Sequence, residues 1–159
     1  MTPLLVILMG SKADLAHAQK ITEAAKPFGF DMELRIGSAH KTASHVLELL
    51  KTYESDPRPK VYITIAGRSN ALSGFTDGCV SAPVIACPPT SDAFGGADIY
   101  SSLRIPSGIA PALVLEPANA ALLAAKMIGI SDSAMRERVK AFQSANQKII
   151  LNDDQDIQS

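Results

Sequence analysis

Leu4-Leu5-Val6-Ile7-Leu8-Met9, closed by Gly10-Ser11, is an apolar run without a polar side chain. It reads as a strand buried on both faces, the kind a parallel sheet needs at its centre. Gly10-Ser11 ends the run too early for it to span a bilayer, and no other segment comes closer.

Working outward, further short apolar runs at 32–36, 61–66, 84–87 and 112–115 alternate with segments of helical period, the first at 15–27. The pattern is that of a five-stranded parallel α/β sheet. The helix after the second strand is the clearest. Val46, Leu49, Leu50 and Tyr53 recur at i, i+3, i+4, i+7 and form one buried stripe, with Thr42 as N-cap. Residues 71–80 and 92–103 read as helices. Glu116-Pro117 opens an Ala/Leu-rich helix over 118–127 that Gly129 ends. Ser131 then caps a last helix with Met135, Val139, Phe142 and Ile149 along one face. No linker or internal repeat interrupts the chain, so 1–159 is expected to fold as a single domain.

Composition narrows the partners. The 159 residues are 47% hydrophobic and 19% charged, which excludes a disordered tail. Fifteen Lys and Arg against sixteen Asp and Glu leave a formal charge of −1, so no cation excess tracks a nucleic acid or an anionic membrane. No basic leader precedes the first strand, and the expectation is a soluble, cytoplasmic protein. Cys79 and Cys87 are too few for a disulfide scaffold or a four-ligand zinc site and are expected to be buried thiols. The helical segments outnumber what two layers around five strands require, and several are rich in alanine. That surplus of helix faces predicts a homo-oligomer.

Parallel sheets bind ligands beyond the C-terminal ends of their strands, so the chemistry is sought in the exit loops. The first, Met9-Gly10-Ser11-Lys12-Ala13-Asp14, sets a glycine and a hydroxyl at a helix start, where free N–H groups and the helix dipole suit a phosphate. Asp14 can accept from ribose hydroxyls, or Asp14 and Ser11 can simply cap the helix. The loop lacks the later glycines of a Walker or dinucleotide motif. The second, Gly37-Ser38-Ala39-His40-Lys41-Thr42, puts an imidazole beside an ammonium. Histidine exchanges protons near neutral pH, and plain packing is the competing reading for His40. His17 and His45 lie in helical segments, and a structural or solvated role is expected for both.

The third loop, Ala66-Gly67-Arg68-Ser69-Asn70-Ala71-Leu72-Ser73-Gly74, has glycines for unusual backbone angles and polar side chains to surround a small ligand. Arg68 suits a phosphate or a subunit contact equally. Pro88-Pro89-Thr90-Ser91-Asp92 and Arg104-Ile105-Pro106-Ser107-Gly108 are stiff and read as preformed wall. There is no Gly-x-Ser-x-Gly elbow and no His/Cys/Glu set with metal-ligand spacing. The acidic residues of a response regulator and the aromatic supply for a flavin are missing too. What survives is proton transfer beside an anion-binding edge, with neither cofactor nor metal expected.

Taken together, Leu8-Met9-Gly10-Ser11 through Asp14, Ser38-Ala39-His40-Lys41-Thr42, the loop 66–74 and Pro117-x-Asn119-Ala120-Ala121-Leu122-Leu123-Ala124-Ala125 resemble the phosphoribosylaminoimidazole carboxylase (PurE-type) family of purine biosynthesis. The resemblance covers about residues 4 to 150. It implies a flavodoxin-like three-layer αβα sandwich with an extra C-terminal helix, assembled as a homo-octamer. It also implies nucleotide contacts by Ser11, Asp14, Ser38, Lys41, Gly67 and Ser69, with His40 as the proton-transfer group. Lys12 stands where a small polar residue is expected and is left out. The family's mutase branch carries Ser-Ala-His-Arg and a longer third loop ending Ala-His-Leu-Pro-Gly. Here Lys41 replaces the arginine and loop 66–74 is short and lacks histidine, as in the branch that takes carbon dioxide directly. The expected activity is therefore carboxylation of 5-aminoimidazole ribonucleotide (AIR). The alternatives are the N5-carboxyaminoimidazole ribonucleotide mutase and a non-catalytic nucleotide-binding module.

Overall fold

The computed structural model describes residues 1–158; Ser159, the last residue of the expected unit, lies outside them. Its sheet contains β1 (Leu4–Met9), β2 (Asp31–Ile36), β3 (Lys60–Ile65), β4 (Val84–Ala86) and β5 (Ala112–Leu113), all parallel, in the order β2-β1-β3-β4-β5. Met9 pairs with both Ile36 and Ile65, so the first three strands end level. The chain order reverses between β1 and β3, and loops leaving those strands diverge there.

Alternation along β1 builds the layers. Leu5, Ile7 and Met9 point to one face, where they meet α1 (Leu15–Ala25), α5 (Pro117–Ile128) and the start of α6 (Ser133–Asp156). Leu4, Val6 and Leu8 point to the other, against α2 (Ala43–Glu54) and α3 (Ala71–Asp77). Two buried faces explain why β1 has no polar residue. Ala18 and Ala25 of α1 and Ala120, Ala121, Ala124 and Ala125 of α5 are all buried in the first face. The predicted stripe Val46, Leu49, Leu50 and Tyr53 is buried in the second. The result is the flavodoxin-like αβα architecture, with α6 as the additional helix.

Several local expectations are corrected. The helix expected over 71–80 stops at Asp77, and Cys79, just beyond it, is exposed instead of buried; Cys87 is buried as expected. The helix expected over 92–103 is broken because Phe94, Gly95 and Gly96 take φ of 52°, 60° and 81°. Two short helical pieces on either side of that kink, within Ala93–Ile99, and the short α4 (Tyr100–Leu103) remain. The last strand covers Ala112–Leu113 alone. Asp132, not Ser131, caps α6, its side chain accepting from the Met135 N–H at 3.0 Å. Met135 and Val139 are buried on that helix and Phe142 packs on Phe28, but Ile149 is 56% exposed. No helix among the described residues is long and apolar enough to cross a membrane.

Candidate active site

Each exit loop is held by hydrogen bonds within itself and to neighbouring elements. The Gly10 N–H donates to the Ile65 carbonyl at 2.8 Å, which ties the first loop to β3. The Asp14 carboxylate accepts from the Ser11 N–H and hydroxyl, and the Asp14 N–H donates back to the Ser11 carbonyl at 3.2 Å. Asp14 therefore caps the turn and also lines the cleft.

The second loop starts with the Gly37 N–H on the Met9 carbonyl, 2.8 Å away. Ser38 then closes on Thr42. The Ser38 N–H donates to Thr42 Oγ1 at 2.9 Å, the Thr42 N–H to the Ser38 carbonyl at 2.8 Å, and the Lys41 N–H to Ser38 Oγ at 3.2 Å. Thr42 holds the N-cap position of α2, but its hydroxyl serves this loop and not the helix N–H groups. The clipped loop carries His40 and Lys41, both exposed, at its tip.

In the third loop Arg68 adopts φ 58°, a left-handed conformation uncommon for a residue with a side chain. Asn70 caps α3, its Oδ1 accepting from the Ser73 N–H at 3.2 Å.

The three loops converge on a cleft of about 510 Å³. Ser11, Asp14, Ser38, His40, Lys41, Gly67 and Ser69 all line it, together with Arg68, Leu72, Pro89 and Ser91. A smaller chamber of about 210 Å³ opens beside it and shares Gly67, Arg68, Pro89 and Ser91. Among the described residues neither Lys41 nor Arg68 forms an ion pair. With Asp14 already engaged by Ser11, the cleft favours an anionic ligand. Leu72 was not legible as a lining residue, since its place in an apolar helix stripe points to the core.

His17, His45 and Lys12 do not line the cleft. His17 Nε2 sits 3.4 Å from the Cys87 sulfur, which is also 3.7 Å from the Leu115 carbonyl oxygen. Burial pulls the His17 pKa below the ordinary imidazole value, and burial followed by the Glu116 charge pushes the Cys87 thiol up to about 12. The pair is thus a neutral contact, not a thiolate–imidazolium couple. No group of three or more His, Cys, Asp or Glu among the described residues is placed to hold a metal ion.

The chain matches the family model for AIR carboxylase over residues 4–148. It is 60% identical to a phosphoribosylaminoimidazole carboxylase of Treponema denticola over 154 residues, covering 97% of each chain. A phosphoribosylaminoimidazole carboxylase of Archaeoglobus fulgidus is 53% identical over 152 residues, covering 96% of this chain and 83% of the relative. The fold superposes on the crystal structure of Treponema denticola PurE with a TM-score of 0.96 at 58% identity, covering 99% of both. Fold and comparisons thus define a flavodoxin-like α/β enzyme, with a cleft at the switch point of the sheet. The chain belongs to the AIR carboxylase family, enzymes of purine biosynthesis.

Proposed function

We propose that the protein catalyses the reversible carboxylation of AIR at ring carbon 4 by carbon dioxide, giving 4-carboxy-AIR, with His40 as the proton-transfer group. The observation carrying this reading is the convergence of Ser11, Asp14, Ser38, His40, Lys41, Gly67 and Ser69 on one cleft. The turn at Gly10 and Ser11, with the first turn of the following helix, suits the phosphate, and Asp14 the ribose. Ser38 and Lys41 add nucleotide contacts. Gly67 and Ser69 face the ring or the incoming carboxylate.

The electron-rich ring carbon attacks carbon dioxide. A carbon–carbon bond forms, and one C=O electron pair moves onto oxygen. The adduct is tetrahedral and still holds its hydrogen, so aromaticity returns when the His40 imidazole removes that proton. In reverse, the imidazolium protonates the same carbon and carbon dioxide departs. No electron acceptor, nucleotide triphosphate or metal is consumed, and none is assigned. Because carbon dioxide is small and uncharged, the rate depends on confining it against the ring.

The direct use of carbon dioxide is supported by Lys41 and by the short third loop without histidine. Homo-octameric assembly is part of the same reading. Exposed Leu34 and Ile36 on the edge strand β2, and Ile149, Ile150 and Leu151 on α6, supply apolar surface for subunit contacts. A single-chain mass by light scattering at micromolar concentration would sink that assembly. A cytoplasmic, single-domain protein without nucleic-acid or membrane partners completes the proposal.

The test is a bicarbonate-dependent absorbance assay with AIR and without ATP. Turnover is expected with AIR plus bicarbonate. Turnover only with the N5-carboxylated nucleotide would instead make the protein a mutase, and binding without either reaction a nucleotide-binding module.

A further inference from the structure

Behind the third exit loop lies a hydrogen-bonded cluster that the proposed chemistry does not use. Asn70 is buried, and its N–H, Nδ2 and Oδ1 are all hydrogen-bonded. Its N–H donates to Ser101 Oγ at 2.9 Å and its Nδ2 to Ser102 Oγ at 2.9 Å, while Oδ1 caps α3. Ser101 Oγ in turn lies 2.8 Å from the Asp98 carbonyl oxygen and 3.2 Å from that of Arg68. The bonds from Asn70 and Arg68 to the two serines join parts of the chain more than thirty residues apart.

We infer that Asn70, Ser101 and Ser102 form a positioning clamp that fixes the main chain of Gly67, Arg68 and Ser69 against the cleft. The clamp governs the end of the site that faces the ring and the incoming carboxylate rather than the end that holds the phosphate and ribose. This rests on the proposed carboxylation of AIR.

Three features place the cluster in that role. Arg68 is left-handed, a conformation that persists in a residue with a side chain only where surrounding contacts hold it. Its carbonyl oxygen lies 3.2 Å from Ser101 Oγ, whose single hydrogen is shared between it and the nearer Asp98 carbonyl, and the same Oγ accepts the Asn70 N–H two residues further on. One serine thus grips the loop on the C-terminal side of the strained residue and at the strained residue itself.

The second feature is location. Asn70, Ser101 and Ser102 do not line the main cleft, whereas Gly67, Arg68 and Ser69 do; Ser101 and Ser102 line the adjoining smaller chamber together with Gly67 and Arg68. Toward the main cleft the three act through the loop, as positioning and not catalytic residues. The third is economy of structure. Capping α3 needs only Asn70 Oδ1, so the Nδ2 and main-chain bonds to α4 serve a different purpose. α4 is only four residues long and cannot stand as an independent helix. Its two serines meet the loop that turns at Arg68.

The experiment uses the full chain with Ser101→Ala and Ser102→Ala, and Ser101→Thr as the conservative rescue. Steady-state carboxylation is measured with AIR and carbon dioxide varied separately, and amide hydrogen exchange is followed across 67–69. The expected result is a fall in kcat/KM for carbon dioxide of roughly 10- to 100-fold, with the KM for AIR within about threefold of the parent. Exchange at 67–69 is expected to quicken in both alanine variants, and Ser101→Thr to restore most of both properties. Unchanged kinetics and exchange would overturn the clamp. So would a lowered melting temperature with unaltered turnover per folded molecule, or equal losses toward both substrates. If Ser101→Ala fails to fold, Ser102→Ala decides alone. If the parent protein does not carboxylate AIR, the functional reading falls, and the exchange data still judge whether the clamp fixes the loop.

Discussion

One carboxylate oxygen of Asp14 accepts both hydrogens that Ser11 offers, the main-chain N–H at 3.1 Å and the hydroxyl at 3.3 Å. Removing that carboxylate opens the turn and takes away the proposed ribose contact. Asp14→Ala is expected to cost about 1 kcal/mol of stability as a lost cap. The KM for AIR should rise about tenfold or more, since a hydrogen bond to a charged group is worth about 1.5–3 kcal/mol. Thermal unfolding and steady-state kinetics check both effects. An unchanged KM with reduced kcat would contradict the ribose assignment.

His40 lies exposed at the tip of the Ser38–Thr42 loop and lines the cleft. His40→Asn is expected to lower kcat by about 10²- to 10⁴-fold, the range for a positioned proton-transfer group, while leaving AIR binding in place. The matching measurement is wash-in of solvent deuterium at ring carbon 4, which should slow in parallel. Full carboxylation by the variant would remove His40 from its role.

Gly37 packs where no side chain fits, a Cβ there lying 2.6 Å from Val46 Cγ2. Gly37→Ala is expected to destabilise the fold by about 1–3 kcal/mol through overpacking and to displace the His40 loop. Pairing it with Val46→Ala should recover part of that loss, giving a non-additive cycle in denaturant melts. Strict additivity would mean that the two positions do not share the space.

Two tyrosines set an alkaline limit. Burial, then the Glu33 carboxylate that accepts the Tyr53 hydroxyl at 2.5 Å, pushes the Tyr53 phenol up to about 12. Burial and then Glu54, which accepts from Tyr62 at 2.9 Å, raise Tyr62 as well. An unfolded tyrosine titrates near 10. Below about pH 10 both states keep the proton and the stabilisation is complete; above it the unfolded chain ionises first. Stability toward urea should therefore decline from about pH 10 toward 12 as the folded phenols are reached. Tyr53→Phe should show a shallower decline, and a flat profile in the parent would refute the assignment.

The thiols should separate by reactivity. Cys79 is exposed, whereas Cys87 is buried, protonated and packed on His17. Iodoacetamide at neutral pH is expected to modify Cys79 in the folded protein and Cys87 only after unfolding, as read by peptide mass spectrometry. Equal rates at both sites would contradict the buried setting of Cys87.

The parts of the molecule legible in the sequence are those that one local pattern decides. β1 is present as Leu4–Met9 because a strand buried on two faces has no room for a polar residue. The cleft residues were legible because a parallel sheet directs ligands to its strand exits, and each of those exits combines glycine with polar side chains. Features that depend on distant contacts were hidden. Nothing near Asn70 announces Ser101 and Ser102, and nothing near Cys87 announces His17. Phe94 gives no warning of a left-handed angle, so the helix expected over 92–103 breaks there. Cys79 shows the limit of residue preference, since its exposure follows from where α3 stops. Ile149 obeys the period of α6, but the helix packs on α5 and on the segment 26–28 through Met135, Val139 and Phe142, and Ile149 is left exposed.

Because Met9, Ile36 and Ile65 finish at the same height, the cleft-lining loops spring from a flat shelf. A loop transplanted onto such a shelf changes length without shifting a strand against its neighbour. The third exit is therefore a natural place for changes of loop length that leave the interior untouched.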